Sequence, residues 1–498
     1  MRTFRLTLLL VLLAACNFLS AQTQPKREFR GAWIQTVFQG QYASMSPAQM
    51  KRYFINTLDE LEKLHINAIV FQVRPEADAW YDSKYEPWSR FLTGKQGRAP
   101  EGDFDPMAFM IEECHKRNME FHAWLNPYRA AVNESLVMDR NHIYYKHPEW
   151  FVKYGRQTLF DPGVPECREY ICTIVKDIVS RYDVDAIHMD DYFYPYPVGG
   201  EDFPDQASFA RYGRPKGYKN SQKNAWRRNN VNLLIQEIRM TMFATKPWVR
   251  FGVSPFGIYR NKKSTTDGSG SNTNGLQNYD DLYADVKKWV KEGWIDYNIP
   301  QVYWEIGHNA ADYVTLVKWW AENNYNQHLY IGQDVARTMK ADDLTRKMRY
   351  IRRIPQIHGN CFWPAGEITA NNKGVVDSLA NNYHRYPALI PAYTHLHNRT
   401  PKDVKKLKAK WTENGYVLQW KQNGKPQNPE TGSYYVVYRF KDKEKVNLED
   451  PSKIVKITRD TYYQLPYNTG KTKYKYVVTS VDKFHNESKK GKSKTVKL

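Results

Sequence analysis

Short apolar runs alternate with stretches of helical periodicity over most of this chain. Eight runs have strand length: Arg30–Thr36, Ala68–Val73, Glu120–Asn126, Asp185–Asp190, Val249–Pro255, Tyr297–Trp304, His328–Gln333 and Gly359–Pro364. Between them, apolar residues recur at 3.6-residue spacing. The first such stretch opens with Ser46 and Gln49 placed as a capping box and Pro47 at the first helical position; Met50, Tyr53, Phe54, Leu58, Leu61 and Leu64 form its stripe. Asp105-Pro106 opens the second helix in the same way, and Ile171, Ile174, Val175, Ile178 and Val179 stripe the third. Later helices are expected at Asn224–Lys246, Tyr279–Glu292, Ala310–Asn323, Ala341–Ile354 and Gly374–His384. Parallel strands need crossover helices of this kind, so the pattern predicts a (β/α)8 TIM barrel over 28–385. A doubly wound open sheet is the alternative; no GxGxxG turn follows the first strand to support it.

After His384 the pattern changes. Pro387, Pro391 and Pro401 mark a linker over 386–400. Short strand-like runs separated by turn residues then predict an antiparallel β-sandwich of about seven strands over 401–498. Within the barrel, the loops after strands two to five are long (74–103, 127–162, 192–223 and 256–278). Loops after strands face the active site in such barrels, so the elaborated face is the catalytic one and should form a groove. The Gly- and Ser-rich segment Thr265–Gly275 reads as mobile.

The N-terminus alters the choice of partners. Arg2 and Arg5 precede the apolar run Leu8–Ala15, the shape of a signal peptide over residues 1–21. Leu13-Ala14-Ala15-Cys16 reads as a lipobox with a lipid anchor on Cys16; Leu19-Ser20-Ala21 reads as an ordinary cleavage site. Both predict export to the cell envelope, as a periplasmic protein or an outer-membrane lipoprotein. The net charge of +20, most of it after Pro391, suits a polyanion. Export makes nucleic acid a poor candidate and an acidic wall polymer a better one. Cys114, Cys167, Cys172 and Cys361 lack zinc-type spacing and read as buried free thiols, with one disulfide left open. An aromatic content of 14% exceeds what cores need and suggests surfaces that stack on rings.

Both faces of a barrel strand are buried, so polar residues late in a strand need a reason. In strand four, His188 and Asp190 share the inward parity, and Asp191 follows at the strand end. In strand six Gln301, Tyr303 and Glu305 share it. Strand three brings His122, Trp124 and Asn126, strand two Gln72 and Arg74, and strand five Ser254. Two carboxylates across such a mouth are the equipment of glycoside hydrolysis: one protonates the leaving oxygen, and the other attacks the anomeric carbon or activates water. Asp190 is the first choice, Glu305 its expected partner, and Asp191 either tunes Asp190 by like charge or is the acid itself. Gln72, Arg74, Asn126 and Tyr303 are placed to hold hydroxyl or acetamido groups. Trp124, His188, Tyr192, Ser254, Gln301 and Trp304 complete the expected substrate-binding set. Strand-end aspartates also cap helices and His188 and His122 also serve as core histidines, while Asp161, Arg129 and Glu367 stay weaker candidates. Aromatics crowd the same loops: Trp80, Tyr81, Tyr85 and Trp88 after strand two, and Tyr192, Phe193, Tyr194 and Tyr196 after strand four. No nucleophile elbow, P-loop or HExxH pattern occurs, and neither a metal nor a cofactor is expected.

Phe29-Arg30-Gly31-Ala32-Trp33, Phe71-Gln72-Val73-Arg74, Trp124-Leu125-Asn126-Pro127, His188-Met189-Asp190-Asp191-Tyr192-Phe193-Tyr194-Pro195 and Pro300-Gln301-Val302-Tyr303-Trp304 together resemble the glycosyl-hydrolase-like family 10. The resemblance spans Glu28 to His384 and implies a (β/α)8 barrel in bacterial envelope proteins. Some members act on peptidoglycan glycan strands, including one that cuts strands stripped of their peptides. It supports Asp190 and Asp191 as site residues and Glu305 less securely. The tail resembles fibronectin type III: Tyr416–Trp420 looks like its second strand with the core tryptophan, and Tyr474–Asp482 like its sixth, with the tyrosine of the corner. The expected function is an exported glycoside hydrolase acting on peptidoglycan glycan. The rivals are a hydrolase of scavenged dietary or host polysaccharide and a non-catalytic glycan-binding envelope protein.

Overall fold

The computed structural model describes residues 24–133 and 135–498; the signal-peptide reading and Cys16 lie outside them. Eight parallel strands close a barrel in sequential order: β1 (Phe29–Ile34), β2 (Ala68–Arg74), β3 (Glu120–Leu125), β4 (Ala186–Met189), β5 (Arg250–Val253), β6 (Tyr297–Asn298), β7 (His328–Asp334) and β8 (Ile357–Trp363). β8 pairs back onto β1, which excludes the open doubly wound sheet. The first crossover helix, α1 (Pro47–Lys63), starts at the expected capping box, with Ser46 and Gln49 satisfying each other's backbone N–H groups. It buries Met50, Phe54, Leu58 and Leu61 against the barrel, each contributing about 1.5–3 kcal/mol of burial.

Two elements are shorter than their patterns suggest. The run Tyr297–Trp304 forms a regular ladder only at Tyr297–Asn298, because Pro300 has no N–H to donate. Pairing resumes irregularly, with Gln301 N donating to Pro255 O (2.9 Å) and Val302 N to Gly332 O (3.1 Å). The stretch Tyr279–Glu292 splits into Asn278–Asp281 and Val286–Lys291 around Tyr283, whose φ is +53°. The Thr265–Gly275 segment is not loose. Asn261 takes the Thr273 hydroxyl and donates to Gly275 O, and Trp319 Nε1 donates to Ser269 O. The four cysteines described are free thiols, three of them buried.

The barrel interior is filled, mostly by rings. Phe29 stacks on Tyr330 with centroids 4.0 Å apart, and Tyr297 lies alongside both. Gly252 leaves the space that the Tyr297 ring takes; a Cβ there would come within 2.0 Å of it. At the N-terminal end of the strands, the segment expected as a linker closes the bottom. Ile390 and Tyr393 join the interior cluster, and Leu389 exchanges backbone hydrogen bonds with Lys26 and Glu28.

The tail is a seven-stranded antiparallel sandwich. One sheet contains β9 (Lys405–Thr412), β10 (Gly415–Lys421) and β13 (Tyr462–Gln464). The other contains β11 (Tyr434–Lys441), β12 (Ile454–Thr458), β14 (Lys473–Val481) and β15 (Lys492–Lys497). Trp420 is buried in the core between the sheets, as the sequence suggests. Tyr476 on β14 buries its hydroxyl without a hydrogen-bond partner among the described residues. The opposite face of the four-stranded sheet (Tyr434, Val436, Tyr438, Val477) packs with Leu389 under the barrel. Across this contact His485 meets Glu120, at the start of β3, which also holds Arg250 of the barrel, and Lys483 reaches Asp183. The molecule is therefore layered as barrel, four-stranded sheet and three-stranded sheet, with the mouth at the far end from the tail.

Candidate active site

A cavity of about 300 Å3 opens at the C-terminal ends of the strands. Asp190 and Asp191, the two residues after β4, both stand in its wall. With them are Trp33 on β1, Gln72 on β2, Trp124 on β3, Ser254 after β5, Gln301 and Tyr303 after β6, and Trp363 at the end of β8. Tyr192, Arg129, Gln35, Val37 and Phe38 complete the lining. Eight of the expected site residues thus converge: Gln72, Trp124, Asp190, Asp191, Tyr192, Ser254, Gln301 and Tyr303.

Asp190 is held by a relay of side-chain amides. Gln72 Oε1 accepts from the backbone N–H of Thr36 and Val37, both 2.8 Å, which leaves its Nε2 to donate to Asn126 Oδ1 at 2.6 Å. Arg129 also donates to Asn126 Oδ1, at 2.7 Å. With its oxygen doubly used, Asn126 must point its amide nitrogen at Asp190 Oδ2. Asp191 accepts from Gln301 Nε2 at 3.0 Å and from the Tyr196 hydroxyl. Burial and the neighbouring Asp191 charge push the Asp190 carboxyl up to about 7, against the opposing pull of Arg129 and Asn126. Burial raises Asp191 as well. Adjacent buried carboxylates cannot both ionise cheaply, so the pair shares a proton near neutrality.

The other expected residues sit elsewhere. Arg74 is fully buried and forked onto Glu86, with its remaining nitrogen on Asn126 O and Pro127 O; it fixes the loop below the mouth. Asn126 lies one step behind the wall. His188 is below the floor, accepting at Nε2 from Ser254 Oγ (2.9 Å) and from Trp33 Nε1 (3.5 Å), since an indole can only donate. Burial holds His188 well below its usual range, hence neutral. Trp304 packs edge-on against Phe256 outside the cavity. Glu305 is not in the wall either. Past Tyr303 the chain turns, and Glu305 O accepts from His308 N and Tyr313 N at the entry to helix Tyr313–Glu322. Strand parity therefore stops applying one residue before it. Of the loop aromatics, Trp80, Tyr81, Phe193 and Tyr194 are buried in the core, and only Tyr192 lines the cavity.

Sequence reasoning missed Trp33, Trp363, Gln35, Val37 and Phe38. The tryptophans share the inward parity of Gln72 and Trp124, so the alternation that marks site residues on β2 to β6 extends to β1 and β8. Trp363 stands edge-on to both Trp33 (6.4 Å) and Trp124 (6.1 Å), making a three-indole wall. Trp124 Nε1 and Gln35 Oε1 are buried without partners among the described residues, a donor and an acceptor left for a ligand. Phe38 is 69% exposed at the rim, on a backbone with φ +62° that no sequence pattern announces. Among the described residues no cluster of His, Cys, Asp or Glu is arranged to hold a metal ion.

Comparison with known proteins finds relatives named as glycosyl hydrolases. "Glycosyl hydrolase YngK" of Bacillus subtilis is 41% identical over 495 residues, 95% of this chain and 94% of that one. "Glycosyl hydrolase DigH" of Escherichia coli is 38% identical over 331 residues, 62% of this chain and 73% of its own. Among solved structures, the PgaB glycoside hydrolase domain of Bordetella bronchiseptica aligns with 71% of this chain and 98% of its own at 12% identity, with a TM-score of 0.47. Residues 28–348 match the model of the Glycosyl hydrolase-like 10 family, and the chain belongs to that family.

Proposed function

We propose that the protein is an exported glycoside hydrolase that cuts the glycan strands of peptidoglycan, with Asp190 and Asp191 as its catalytic carboxylates. The observation that carries this reading is geometric: two adjacent buried carboxylates, Asp190 and Asp191, stand together in a cavity walled by three indoles, where burial and its neighbour push Asp190 up to about 7. A protonated carboxyl at neutral pH is what a leaving glycosidic oxygen requires, and flat rings suit the C–H faces of sugars. The basic tail fits an acidic wall.

The pair also bears on the route. Two carboxylates flanking a sugar ring stand ~5–9.5 Å apart, and here they are consecutive residues on one wall. No further carboxylate lines the cavity among the described residues. An N-acetyl sugar supplies the missing nucleophile itself. The protonated member of the pair gives its proton to the leaving oxygen as the glycosidic C–O bond breaks. The ionised member accepts the N–H of the 2-acetamido group, whose carbonyl oxygen closes onto the anomeric carbon. Water then reopens that ring, returning the proton to the pair. Tyr303, held neutral by burial and the nearby Asp191 charge, remains a donor beside both carboxylates.

Two measurements test this. The mature protein is incubated with intact sacculi and, separately, with amidase-stripped strands, and soluble products are read by mass spectrometry. Fragments are expected from at least one, and Asp190→Asn should lower their rate by ~10²–10⁴. No fragments from either would sink the wall reading. Chemically de-N-acetylated strands should resist cleavage; turnover of these at the parent rate would rule out the acetamido route and leave the carboxylates to be reassigned.

A further inference from the structure

The outer sheet of the tail carries an aromatic cluster that starts on the sandwich core at Tyr416 and extends past it into solvent. Trp411 on β9 is directly opposite Tyr416 on β10, and the two rings stack with centroids 5.0 Å apart. Tyr467, in the turn after β13, stands edge-on to Trp411 at 4.8 Å. Along β9, Leu407 and Ala409 share the parity of Trp411 and pack on the sandwich core. At the end of the strand that face runs out into solvent: Trp411 is 61% exposed and Tyr467 45%. Neither tyrosine hydroxyl has a hydrogen-bond partner among the described residues. Three rings held by a hairpin and a tight turn, one of them an indole with most of its surface in water, form a rigid exposed platform.

Its surroundings are cationic. Residues 405–421 and 462–475, which build this sheet, the turn and the start of β14 in the neighbouring sheet, contain eight lysines against one acidic residue, Glu413 in the hairpin turn. The tail's ion pairs use Lys453, Lys456 and Lys483. Lys410, Lys471 and Lys473 are exposed and have no carboxylate partner among the described residues. The platform lies on the layer farthest from the barrel, so a chain bound there is not the segment being processed in the mouth.

We infer that Trp411, Tyr416 and Tyr467, with the lysines around them, form a second binding site, for an anionic polysaccharide. Ring faces take sugar C–H faces, free phenols take sugar hydroxyls, and lysines take carboxylate or phosphate substituents. The choice of polysaccharide over nucleic acid rests on the reading of the mouth as a glycan site; the platform itself does not.

The test is co-sedimentation of the full chain with purified sacculi, in an Asp190→Asn background so that the ligand survives. Trp411→Ala and Tyr467→Ala should each weaken retention about tenfold, the effect of one well-stacked ring. Tyr462→Ala, which removes a ring 53% exposed on the same sheet and outside the cluster, should retain like the parent. A folded Trp411→Ala that sediments normally overturns the inference, as does an equal loss from Tyr462→Ala. Should Trp411→Ala melt early, Lys471→Glu with Lys473→Glu carries the test: weakened retention supports the site and parental retention overturns it. Displacement by a single-stranded oligonucleotide but not by soluble stripped strands would replace the glycan with nucleic acid. With Asp190 intact, Trp411→Ala should cleave soluble strands at the parent rate. A parent that cleaves nothing sinks the reading of the mouth and leaves the sedimentation result standing.

Discussion

At the scale of single residues, the chemistry of the mouth depends on which way one amide points. Asn126 donates to Asp190 only because Gln72 and Arg129 both occupy its oxygen. That donation and the Arg129 charge pull Asp190 down, while burial and Asp191 push it up. Removing either restraint lets the carboxyl rise further. Asn126→Ala and Arg129→Met should therefore move the basic limb of the kcat/KM profile to higher pH, with the shift read from a pH series; a profile left in place would remove Asn126 from the account. The same raised carboxyl has a cost to folding. Because Asp190 is raised when folded, the native state binds its proton more tightly than the unfolded chain does. The cost is absent below the unfolded value near 4, grows as pH rises toward 7, and is complete above it. Asp190→Asn should consequently raise Tm at pH 8 and leave it close to parental at pH 4. Phe38, exposed at the rim, touches the other end of the cavity; Phe38→Ala should raise KM several-fold with kcat little changed, as loss of uniform binding does.

At the scale of elements, alternation of inward and outward positions made most of the site legible. It placed Gln72, Trp124 and Asp190 because β2, β3 and β4 are regular and side chains on a strand repeat every two residues. It failed at Glu305 for a local reason. Pro300 breaks the ladder of β6, the chain turns after Tyr303, and parity has no meaning in a turn. It could not separate Asn126 and His188 from the wall, because inward-pointing residues form layers and only the top layer meets solvent. Gly252 shows the reverse case, a position defined by another strand. Nothing in its neighbours along the sequence predicts the Tyr297 ring that fills its place. Gly252→Ala should cost ~1–3 kcal/mol or more by overpacking, measured by urea unfolding.

At the scale of the whole molecule, the tail is a foundation of the barrel and not an appendage. Glu120 at the barrel bottom is held well below the usual carboxylate range, its burial outweighed by Arg250, His485 and His122. A depressed carboxylate stabilises above its unfolded value near 4.5 and loses that contribution as pH falls through its folded one. Glu120→Gln, which leaves Arg250 buried without its anion, should cost about 3–5 kcal/mol at pH 7, read as a fall in Tm. The relay at the other end has a consequence of its own. It runs from the backbone N–H of Thr36 at the exit of β1 through Gln72 on β2 and Asn126 after β3 to Asp190 after β4, with one side chain each from the ends of β2, β3 and β4. A slip of one residue between any two of these strands turns inward side chains outward and breaks the relay at that joint. A misregistered barrel could still be compact and helical, yet it would have no mouth. In a refolded preparation, circular dichroism would count every collapsed chain, whereas glycan capacity at the mouth would count only those whose strands closed in step. The ratio of the two is a direct gauge of folding fidelity, built into the protein by the way its pocket is wired.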